Sequence, residues 1–482
     1  MKSPPAPRGG TYNLEPRTMT IKILTGSPKG DTVVRFVHEN ELGDLAAVAK
    51  ENNVTGKERE VLVAYPAKGP KRVIAVGLGR KDRFTPEKLR RAASTAARQA
   101  RALGLAQISV EIPDGNASDN AQAAVEGLLL ALYEYKRFKT RDTKPLKLAS
   151  IRVDGPPDAV RRGEVYARAT ALARDLVNEP PSDCTPRRLA EAAKAVAKNG
   201  IAIKVFDEKQ IAKMKMGGLE GVARGSTQPP RFVHLQYKAP RARRTVAVVG
   251  KGITFDSGGL CIKPADGMLW MKDDMSGAAA VVGLFSALAE LRPRVNVHGI
   301  FAATENMPGG SAYKTGDVLR ARNGKTMEII NTDAEGRLIL ADALSYASEL
   351  KPDEIIDLAT LTGACVVALG PDISAVFTKD EKLRNRLLEA GRKEGEKLWP
   401  MPLEDDYMDL IKSHIADMKN SGGRYGGAIT AALFLREFVA EGIAWAHVDI
   451  AGPALVESEK PYRPAGGTGV MVRTLLRYLE EL

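Results

Sequence analysis

The sequence predicts an α/β protein of two domains, the second of which is larger and built on a mixed, mostly parallel central sheet. Its 482 residues exceed what a single hydrophobic core usually supports. Short β-branched segments alternate with alanine-rich segments of helical periodicity, which is typical of sheets covered by helices. We expect a disordered lead-in over residues 1–18, an N-terminal α/β domain over 19–165 and the larger domain over 166–482.

The N-terminal domain follows a proline-rich stretch. Residues 1–18 contain four prolines and no apolar segment, so they are expected to be neither folded nor a signal peptide. Strands are predicted at 33–37, 61–65, 72–79, 107–112 and 149–153, where β-branched residues recur. Helices are predicted at 86–103, which has proline in its first turn and glycine after its end, and at 121–136.

A loop with two adjacent prolines, residues 178–186, lies near the predicted domain boundary. The strands predicted beyond it are 201–206, 232–237, 245–250, 295–303, 354–359 and 444–450. The predicted helices are 276–291, 336–350, 380–396, 427–441 and 469–481. In open sheets of this kind, functional sites gather at the carboxyl ends of the strands.

The composition narrows the class of protein. Three widely spaced cysteines without a CxxC pair argue against a disulfide framework or a zinc finger. No apolar run approaches the roughly 18 residues of a membrane span, so we expect a cytoplasmic protein without membrane contact. Residues 1–170 hold 30 Lys and Arg against 19 Asp and Glu. This excess permits DNA binding, although a solvated basic surface is the simpler interpretation.

Charged residues gather where predicted strands end or helices begin. The segment TVAVVGKGITFDSGGLCIKP starts as a buried strand and continues as a glycine-rich loop, WMKDDMSGAAAVVG leads into a helix, and NTDAEGRL leads into another. The charged residues singled out in these segments are Lys251, Asp256, Lys263, Asp274, Asp333 and Glu335. Individually, Asp274 and Asp333 could be helix caps. Together, four carboxylates and two lysines exceed what capping requires.

Charge balance favours a site for two divalent cations. The four carboxylates carry −4, which two M²⁺ ions would neutralise, and without a metal some would take up protons. Only five histidines occur and HExxH is absent, so a mononuclear zinc protease of that type is disfavoured. Ligand type alone leaves the choice between zinc and manganese open.

At these residues the sequence strongly resembles the leucyl aminopeptidases, also called the cytosol aminopeptidase family. NTDAEGRL is the family signature, and VGKGITFDSGG, MKDDMSGAAA, TLTGA and HVDIAGPA match its catalytic-domain pattern in the same order. The resemblance is close over about residues 165–482 and looser before them. It implies a macro-like N-terminal domain, a catalytic C-terminal domain that removes N-terminal amino acids from peptides, and assembly into hexamers.

The resemblance also implies a role for each charged residue. Lys251, Asp256, Asp274 and Glu335 would hold the more tightly bound metal, and Asp256, Asp333 and Glu335 the readily exchanged one. Lys263 would face the substrate carbonyl, and Arg337 would hold a bicarbonate ion that serves as general base. A lysine can bind a metal only as a neutral amine, so activity should fall at acid pH.

The resemblance also implies which residues determine the substrate preference. By resemblance, the pocket for the first side chain is lined by Met271, Thr360, Gly363 and Ala451. Their apolar or small character suits leucine, but one methylene is worth only about 1–3 kcal/mol of discrimination, so a broad preference is expected. Two alternative functions stay open, a DNA-binding regulator that uses the basic N-terminal domain and a dinuclear phosphoesterase.

Overall fold

The computed structural model describes residues 21–141 and 145–482, so the predicted disordered lead-in over 1–18 lies outside the described residues. The strands are β1 (Lys22–Thr25), β2 (Thr32–Val37), β3 (Val61–Ala64), β4 (Arg72–Gly77), β5 (Gln107–Glu111), β6 (Ser150–Asp154), β7 (Ile201–Phe206), β8 (Arg231–Tyr237), β9 (Thr245–Asp256), β10 (Asn296–Asn306), β11 (Val318–Arg320), β12 (Thr326–Glu328), β13 (Glu354–Ala359), β14 (Ile373–Phe377), β15 (Lys397–Met401), β16 (Met418–Lys419), β17 (Ala444–Asp449), β18 (Leu455–Val456) and β19 (Gly466–Gly467).

The α-helices cover both large sheets. They are α1 (Ala46–Glu51), α2 (Pro86–Ala102), α3 (Ala117–Ala131), α4 (Pro157–Asn178), α5 (Pro186–Val196), α6 (Glu208–Lys213), α7 (Gly217–Ala223), α8 (Ala265–Met268), α9 (Ser276–Leu291), α10 (Gly336–Glu349), α11 (Gly363–Leu369), α12 (Glu381–Glu394), α13 (Gly427–Arg436) and α14 (Val472–Glu480).

The N-terminal sheet has six strands in the order β1-β6-β5-β2-β4-β3, all parallel except the β3–β4 pair. Helix α2 begins as its sequence predicts, because Pro86 occupies its first turn and the Thr85 hydroxyl accepts a hydrogen bond from the backbone N–H of Lys88. The prediction of a helix over 121–136 is displaced. Helix α3 starts at Ala117, since the Asn116 side chain caps it, and it ends at Ala131.

The second sheet has eight strands in the order β15-β14-β17-β13-β9-β10-β8-β7 and is mixed, with β9, β10, β13 and β17 parallel at its centre. Alternate residues of β9 face opposite sides of the sheet. Val246 and Val248 belong to the core that includes α9, whereas Ala247 and Val249 belong to the core that includes α10. The prediction of a two-domain α/β fold is confirmed.

Helix α9 is apolar on all sides, as expected of a helix that the sheet, α4 and α14 cover. Within the described residues, the stretch Ala265–Leu291 is long and apolar enough to cross a membrane, but 78% of its most apolar window is buried inside the protein. That burial is typical of a core helix.

The two sheets are joined through α4 and a buried ionic network. Arg90 of α2 donates to Glu126 of α3 at 2.8 Å, and Arg473 of α14 donates to the same carboxylate at 3.0 Å. All three side chains are at most 4% exposed. The predicted boundary between residues 165 and 166 falls inside α4 and stays a prediction.

Candidate active site

The candidate site lies where β9 and β10 end side by side. Asp256 is the last residue of β9, and its Oδ1 accepts hydrogen bonds from the backbone N–H of Gly258 and from Asn306 Nδ2, both at 2.8 Å. Asn306 is the last residue of β10 and donates also to the backbone carbonyl of Thr332, at 3.0 Å. The amide therefore links the end of β9 to the segment that precedes α10.

Three of the predicted carboxylates converge at the C-terminal ends of these strands. One oxygen each of Asp256, Asp333 and Glu335 lies within 4.8 Å of the others, an arrangement that could hold a metal ion. Asp256 and Glu335 are 2% exposed, whereas Asp333 is partly accessible. Solvent can therefore reach the cluster from the side on which Asp333 lies.

Lys251 joins the fourth carboxylate to the cluster. From the middle of β9, its Nζ lies 2.7 Å from Asp274 Oδ1 and 2.9 Å from Glu335 Oε1, and it donates to the backbone carbonyl of Thr360 at 2.9 Å. A Cβ atom at Gly336 would lie 2.5 Å from Lys251 Cε. The glycine that follows Glu335 is therefore required for this lysine to reach its partners.

Lys263 lies on the other side of the cluster. Its Nζ is 2.9 Å from Asp256 Oδ2 and 2.6 Å from Asp333 Oδ1. The two lysines thus contact all four carboxylates between them. Neither aspartate caps a helix, since the N-cap residues of α9 and α10 are Met275 and Glu335, and neither helix has a side-chain cap. The alternative that Asp274 and Asp333 serve as caps is wrong for these two helices.

The electrostatics of the site favour a dication. Burial, with the charge of Glu335, raises the pKa of Asp256 to about 6, and burial raises the pKa of Asp274 well above its usual value. Burial also opposes ionisation of Glu335, but the charge of Lys251 outweighs it and lowers that pKa. Asp274 Oδ2 and Glu335 Oε2 are buried without a hydrogen-bond partner among the described residues. Such oxygens are suited to coordinate a cation.

Arg337 lies in the first turn of α10, two residues after Glu335. It is 7% exposed, and its Nη1 donates to the backbone carbonyl of Asn420 at 2.8 Å, while Nε has no partner among the described residues. Burial lowers its pKa to about 10, so the guanidinium is still cationic at neutral pH. A buried cation with a free donor is a reasonable anchor for a small anion.

One of the predicted pocket residues contacts a carboxylate of the cluster, and a second lies close to it in sequence. Thr360 Oγ1 donates to Asp274 Oδ1 at 2.8 Å, and Met271 lies in the 3₁₀ helix Met271–Asp273 just before Asp274. Gly363 begins α11, and a Cβ atom there would have no neighbour within 4 Å, so the space beside it is open.

Asp449 connects the remaining predicted pocket residue, Ala451, to the loop that follows β13. The buried Asp449 carboxylate accepts from the backbone N–H of Ala451 at 3.1 Å, from that of Leu361 at 3.2 Å and from Thr362 Oγ1 at 2.8 Å. One carboxylate thereby fixes the distance between the loops after β13 and β17.

Replacing Asp449 with alanine should therefore weaken the predicted preference for a large first side chain over a small one. Two backbone N–H groups and a hydroxyl would lose their acceptor, and the loops that carry Thr360 and Ala451 would separate. We expect kcat/KM for leucine-p-nitroanilide to fall roughly tenfold, equivalent to about 1.4 kcal/mol, and that for alanine-p-nitroanilide to fall less. An unchanged ratio of the two values, with metal content equal to that of the unsubstituted protein, would show that Asp449 does not shape the pocket.

Sequence reasoning missed three polar residues that orient the predicted ligands and loops. They are Asn306, Asn420 and Asp449. Asn420 Oδ1 accepts from the backbone N–H of Ile330 at 2.8 Å, and its Nδ2 donates to Asn331 O at 2.7 Å. Asn306 and Asp449 end strands as Asp256 does, and Asp449 also lies within the HVDIAGPA segment, so these two positions carried a sequence signal.

Comparison with known proteins gives two family matches. The sequence profile described as cytosol aminopeptidase family, catalytic domain, matches residues 171–476, and that of the family's N-terminal domain matches residues 26–142. A probable cytosol aminopeptidase of Aquifex aeolicus is 46% identical, with 94% of this chain and 95% of the relative covered. One of Geobacter sulfurreducens is 43% identical, with 94% of each covered.

Solved structures agree with these matches. The bottromycin maturation enzyme BotP in complex with Mn superposes with a TM-score of 0.89 at 38% identity, covering 94% of this chain and 99% of that one. A variant of tomato leucine aminopeptidase superposes with a TM-score of 0.87 at 36% identity, covering 96% and 97%. The fold and its relatives define a hydrolase that acts on peptides. The chain belongs to the cytosol aminopeptidase family, so the predicted resemblance is confirmed.

Proposed function

We propose that the protein is a two-metal aminopeptidase that releases N-terminal amino acids, leucine preferentially, from peptides. The observation that carries the proposal is the buried cluster in which two lysines contact four carboxylates, two of whose oxygens have no hydrogen-bond partner among the described residues. Family membership supports the peptidase activity. The Mn complex of BotP supports a divalent cation, and manganese and zinc are the two candidates.

The residues present fit two cations. Lys251, Asp256, Asp274 and Glu335 would hold one, and Asp256, Asp333 and Glu335 the other. A pair of divalent cations there would acidify a water molecule and polarise the scissile carbonyl. Asp256 and Glu335 would belong to both sets.

The chain's own residues supply the remaining chemistry. Burial opposes the charge of Lys263, but Asp256 and Asp333 raise its pKa, so it is an ammonium at neutral pH and can stabilise negative charge on the substrate carbonyl oxygen. Arg337 would hold bicarbonate, which would accept the proton of the attacking water. No carboxylate outside the cluster is assigned the role of general base.

Metal binding should release protons and strengthen as pH rises. Burial opposes the charge of Lys251, but Asp274 and Glu335 raise its pKa, so its ammonium must lose a proton before the nitrogen can bind a metal. At pH 8 we expect metal binding to release about one proton per chain, from Lys251. Near pH 6 the Asp256 proton must be displaced too, so affinity falls as pH decreases through about 6.

Calorimetric titration of metal into the metal-free protein, in two buffers of different ionisation enthalpy, counts these protons. In Lys251→Met any proton released at pH 8 must come from the neighbouring carboxylates, because the pKa values of Asp274 and Glu335 rise when the ammonium is removed. If the unsubstituted protein takes up metal at pH 8 without releasing a proton, Lys251 is not a ligand.

Activity is tested with leucine-p-nitroanilide and several other aminoacyl anilides. Metal-loaded protein should hydrolyse leucine and methionine derivatives fastest, and removal of metal with a chelator should abolish activity until Mn²⁺ or Zn²⁺ is restored. A blocked N-acetyl-leucine anilide is the matched control, since an aminopeptidase needs the free amine. Hydrolysis of the blocked substrate, or of none of the substrates, would contradict the proposal.

Assembly and location are proposed from the resemblance to the family. We propose a homohexamer in the cytoplasm, consistent with relatives that are named cytosol aminopeptidases. Analytical ultracentrifugation of the full chain measures the assembly directly.

DNA binding by the basic N-terminal domain stays a prediction. Several of its basic side chains are paired with carboxylates on the same surface, among them Arg35 with Glu111 at 2.9 Å and Lys71 with Asp31 at 3.0 Å. These pairs leave less positive charge for a phosphate backbone. We therefore favour the peptidase as the function of the chain.

A further inference from the structure

Thr332 lies inside the segment NTDAEGRL, but neither proposed set of cation ligands includes it. The residue is fully buried, at 0% exposed. Its hydroxyl donates to the backbone carbonyl of Gly258 at 2.7 Å and accepts from the backbone N–H of Cys261 at 2.8 Å. This one hydroxyl therefore joins the segment that carries Asp333 to the loop that follows β9, residues 257–263.

The 257–263 loop has few other hydrogen bonds to the rest of the protein. Its start is fixed by Ser257, whose hydroxyl donates to the backbone carbonyl of Asn306 at 2.7 Å. Its end is closed by the backbone N–H of Lys263, which donates to the Ser257 carbonyl at 2.9 Å. Between these two residues, the hydrogen bonds found in the described part of the chain stay within the loop, reach Asp256 just before it, or are made to Thr332. Thr332 is thus the distant anchor of the middle of the loop.

Neither packing nor backbone restriction fixes the middle of the 257–263 loop. Leu260 and Ile262 are 49% and 61% exposed, so their side chains bury little apolar surface against the chain. Gly258 and Gly259 have φ angles of +87° and +65°, and glycine adopts positive and negative φ about equally readily. The two hydrogen bonds to Thr332 therefore determine where this part of the loop lies.

Thr332 is itself held rigidly. Its backbone carbonyl accepts from Asn306 Nδ2 at 3.0 Å and from the hydroxyl of Tyr313 at 2.7 Å, and Tyr313 is 1% exposed. A Cβ atom at Gly259 would lie only 3.1 Å from Thr332 Oγ1, so the loop is packed directly against the hydroxyl. A group fixed in this way can determine the position of the loop that it contacts.

The same two segments are also joined by Lys263, two residues after Cys261. Its Nζ lies 2.6 Å from Oδ1 of Asp333, the residue that follows Thr332, and 2.9 Å from Asp256 Oδ2. Cations bound to these carboxylates would compete with the ammonium for them. The hydrogen bonds of the Thr332 hydroxyl involve no carboxylate, so they can hold the loop whether or not the cations are bound.

In the proposed function, on which the following proposal rests, Lys263 stabilises negative charge on the substrate carbonyl oxygen. We propose that the Thr332 hydroxyl holds the 257–263 loop in the position that Lys263 needs for this role. Thr332 is a positioning residue, since it is buried and acts through Lys263. Without the hydroxyl the ammonium would be displaced, and a displacement of about 1 Å can lower a rate roughly 10²-fold.

Thr332→Val tests this role, because valine has the shape of threonine without the hydroxyl. In the metal-loaded full chain we expect kcat for leucine-p-nitroanilide to fall roughly 10–100-fold with little change in KM, since Lys263 acts on the transition state. Thr332→Ser keeps the hydroxyl and should restore most of kcat. Thr170→Val is the matched control and should leave kcat unchanged. Thr170 is equally buried, but its hydroxyl donates to the backbone carbonyl of Tyr166 within α4.

Two further measurements separate the positioning of Lys263 from a general loss of structure. In a Lys263→Met background, Thr332→Val should not lower kcat further, because the ammonium that Thr332 positions is already absent. Hydrogen exchange followed by mass spectrometry should be faster across residues 257–263 in Thr332→Val than in Thr332→Ser or the unsubstituted protein. The content of bound metal should be the same in all three.

An unchanged kcat in Thr332→Val overturns the proposal. So does an equal loss of kcat with and without Lys263, or a loss of metal in parallel with activity, since Thr332 would then support Asp333 and not Lys263. If Thr332→Val does not fold, Thr332→Cys, whose thiol is a weaker donor and acceptor, takes its place in the same comparisons. An unsubstituted protein that hydrolyses no aminoacyl anilide contradicts the proposed function itself, which is distinct from an active protein whose kcat is insensitive to Thr332.

Discussion

Asp256→Asn should lower kcat/KM for leucine-p-nitroanilide by roughly a thousand-fold or more, beyond the 10–100-fold typical of residues that only support metal ligands. Asp256 is assigned to both proposed metal positions, so removing its charge affects both. Its Oδ1 is already occupied by the N–H groups of Gly258 and Asn306, which fix the carboxylate plane. Asparagine has the same shape, but its amide nitrogen in place of Oδ2 would be a donor that faces the cations.

The loss should not come from unfolding. Burial and the charge of Glu335 raise the pKa of Asp256 to about 6, so ionised Asp256 destabilises the metal-free protein at neutral pH. The metal-free variant should therefore melt at the same temperature as the unsubstituted protein or above it, while its metal content falls. Asp266→Asn, which removes an exposed carboxylate ten residues away in sequence, is the matched control. An active Asp256→Asn variant with full metal content would exclude Asp256 as a ligand.

Much of the fold follows from local sequence, and the differences have physical causes. The buried strands β4 and β13 are rich in β-branched residues and lie where they were predicted. Strand β9 begins as predicted but runs to Asp256, so Lys251 and Asp256, which were predicted to lie in a glycine-rich loop, belong to the strand. The edge strand β15 was not predicted, because it is largely exposed and contains Pro400, which has no N–H to donate. The helix predicted at 427–441 ends instead at Arg436, before the turn that leads into β17.

The candidate site was predictable only in part. Lys251, Asp256 and the carboxylates of NTDAEGRL lie in recognisable segments, and the structure brings them together near the C-terminal end of β9. Asn306 and Asp449 were missed because their roles depend on the loops they connect, which are distant in sequence. A single amide or carboxylate at a strand end has no periodicity to reveal it. The catalytic and ligand roles themselves stay predictions.

Lys263→Met should lower kcat by about 10²–10³-fold, the usual cost of removing one donor to a developing oxyanion. In the metal-free protein the Lys263 ammonium is bound to Asp256 and Asp333, the same carboxylates that are proposed to hold the cations. Cations that replace these contacts would leave the ammonium free to face the substrate carbonyl. Methionine keeps the length of the side chain without its charge, so KM should change little.

Metal content distinguishes this role from mere charge compensation. If Lys263 acts on the substrate, Lys263→Met keeps both cations, and it binds them more tightly because an ammonium no longer competes for Asp256 and Asp333. Lys263→Arg is the matched control, since it keeps the charge but places it on a larger, planar group, and it should recover part of kcat. If Lys263→Met loses metal and activity in parallel, the ammonium serves to assemble the carboxylates, and the stabilisation of the oxyanion must come from the cations alone.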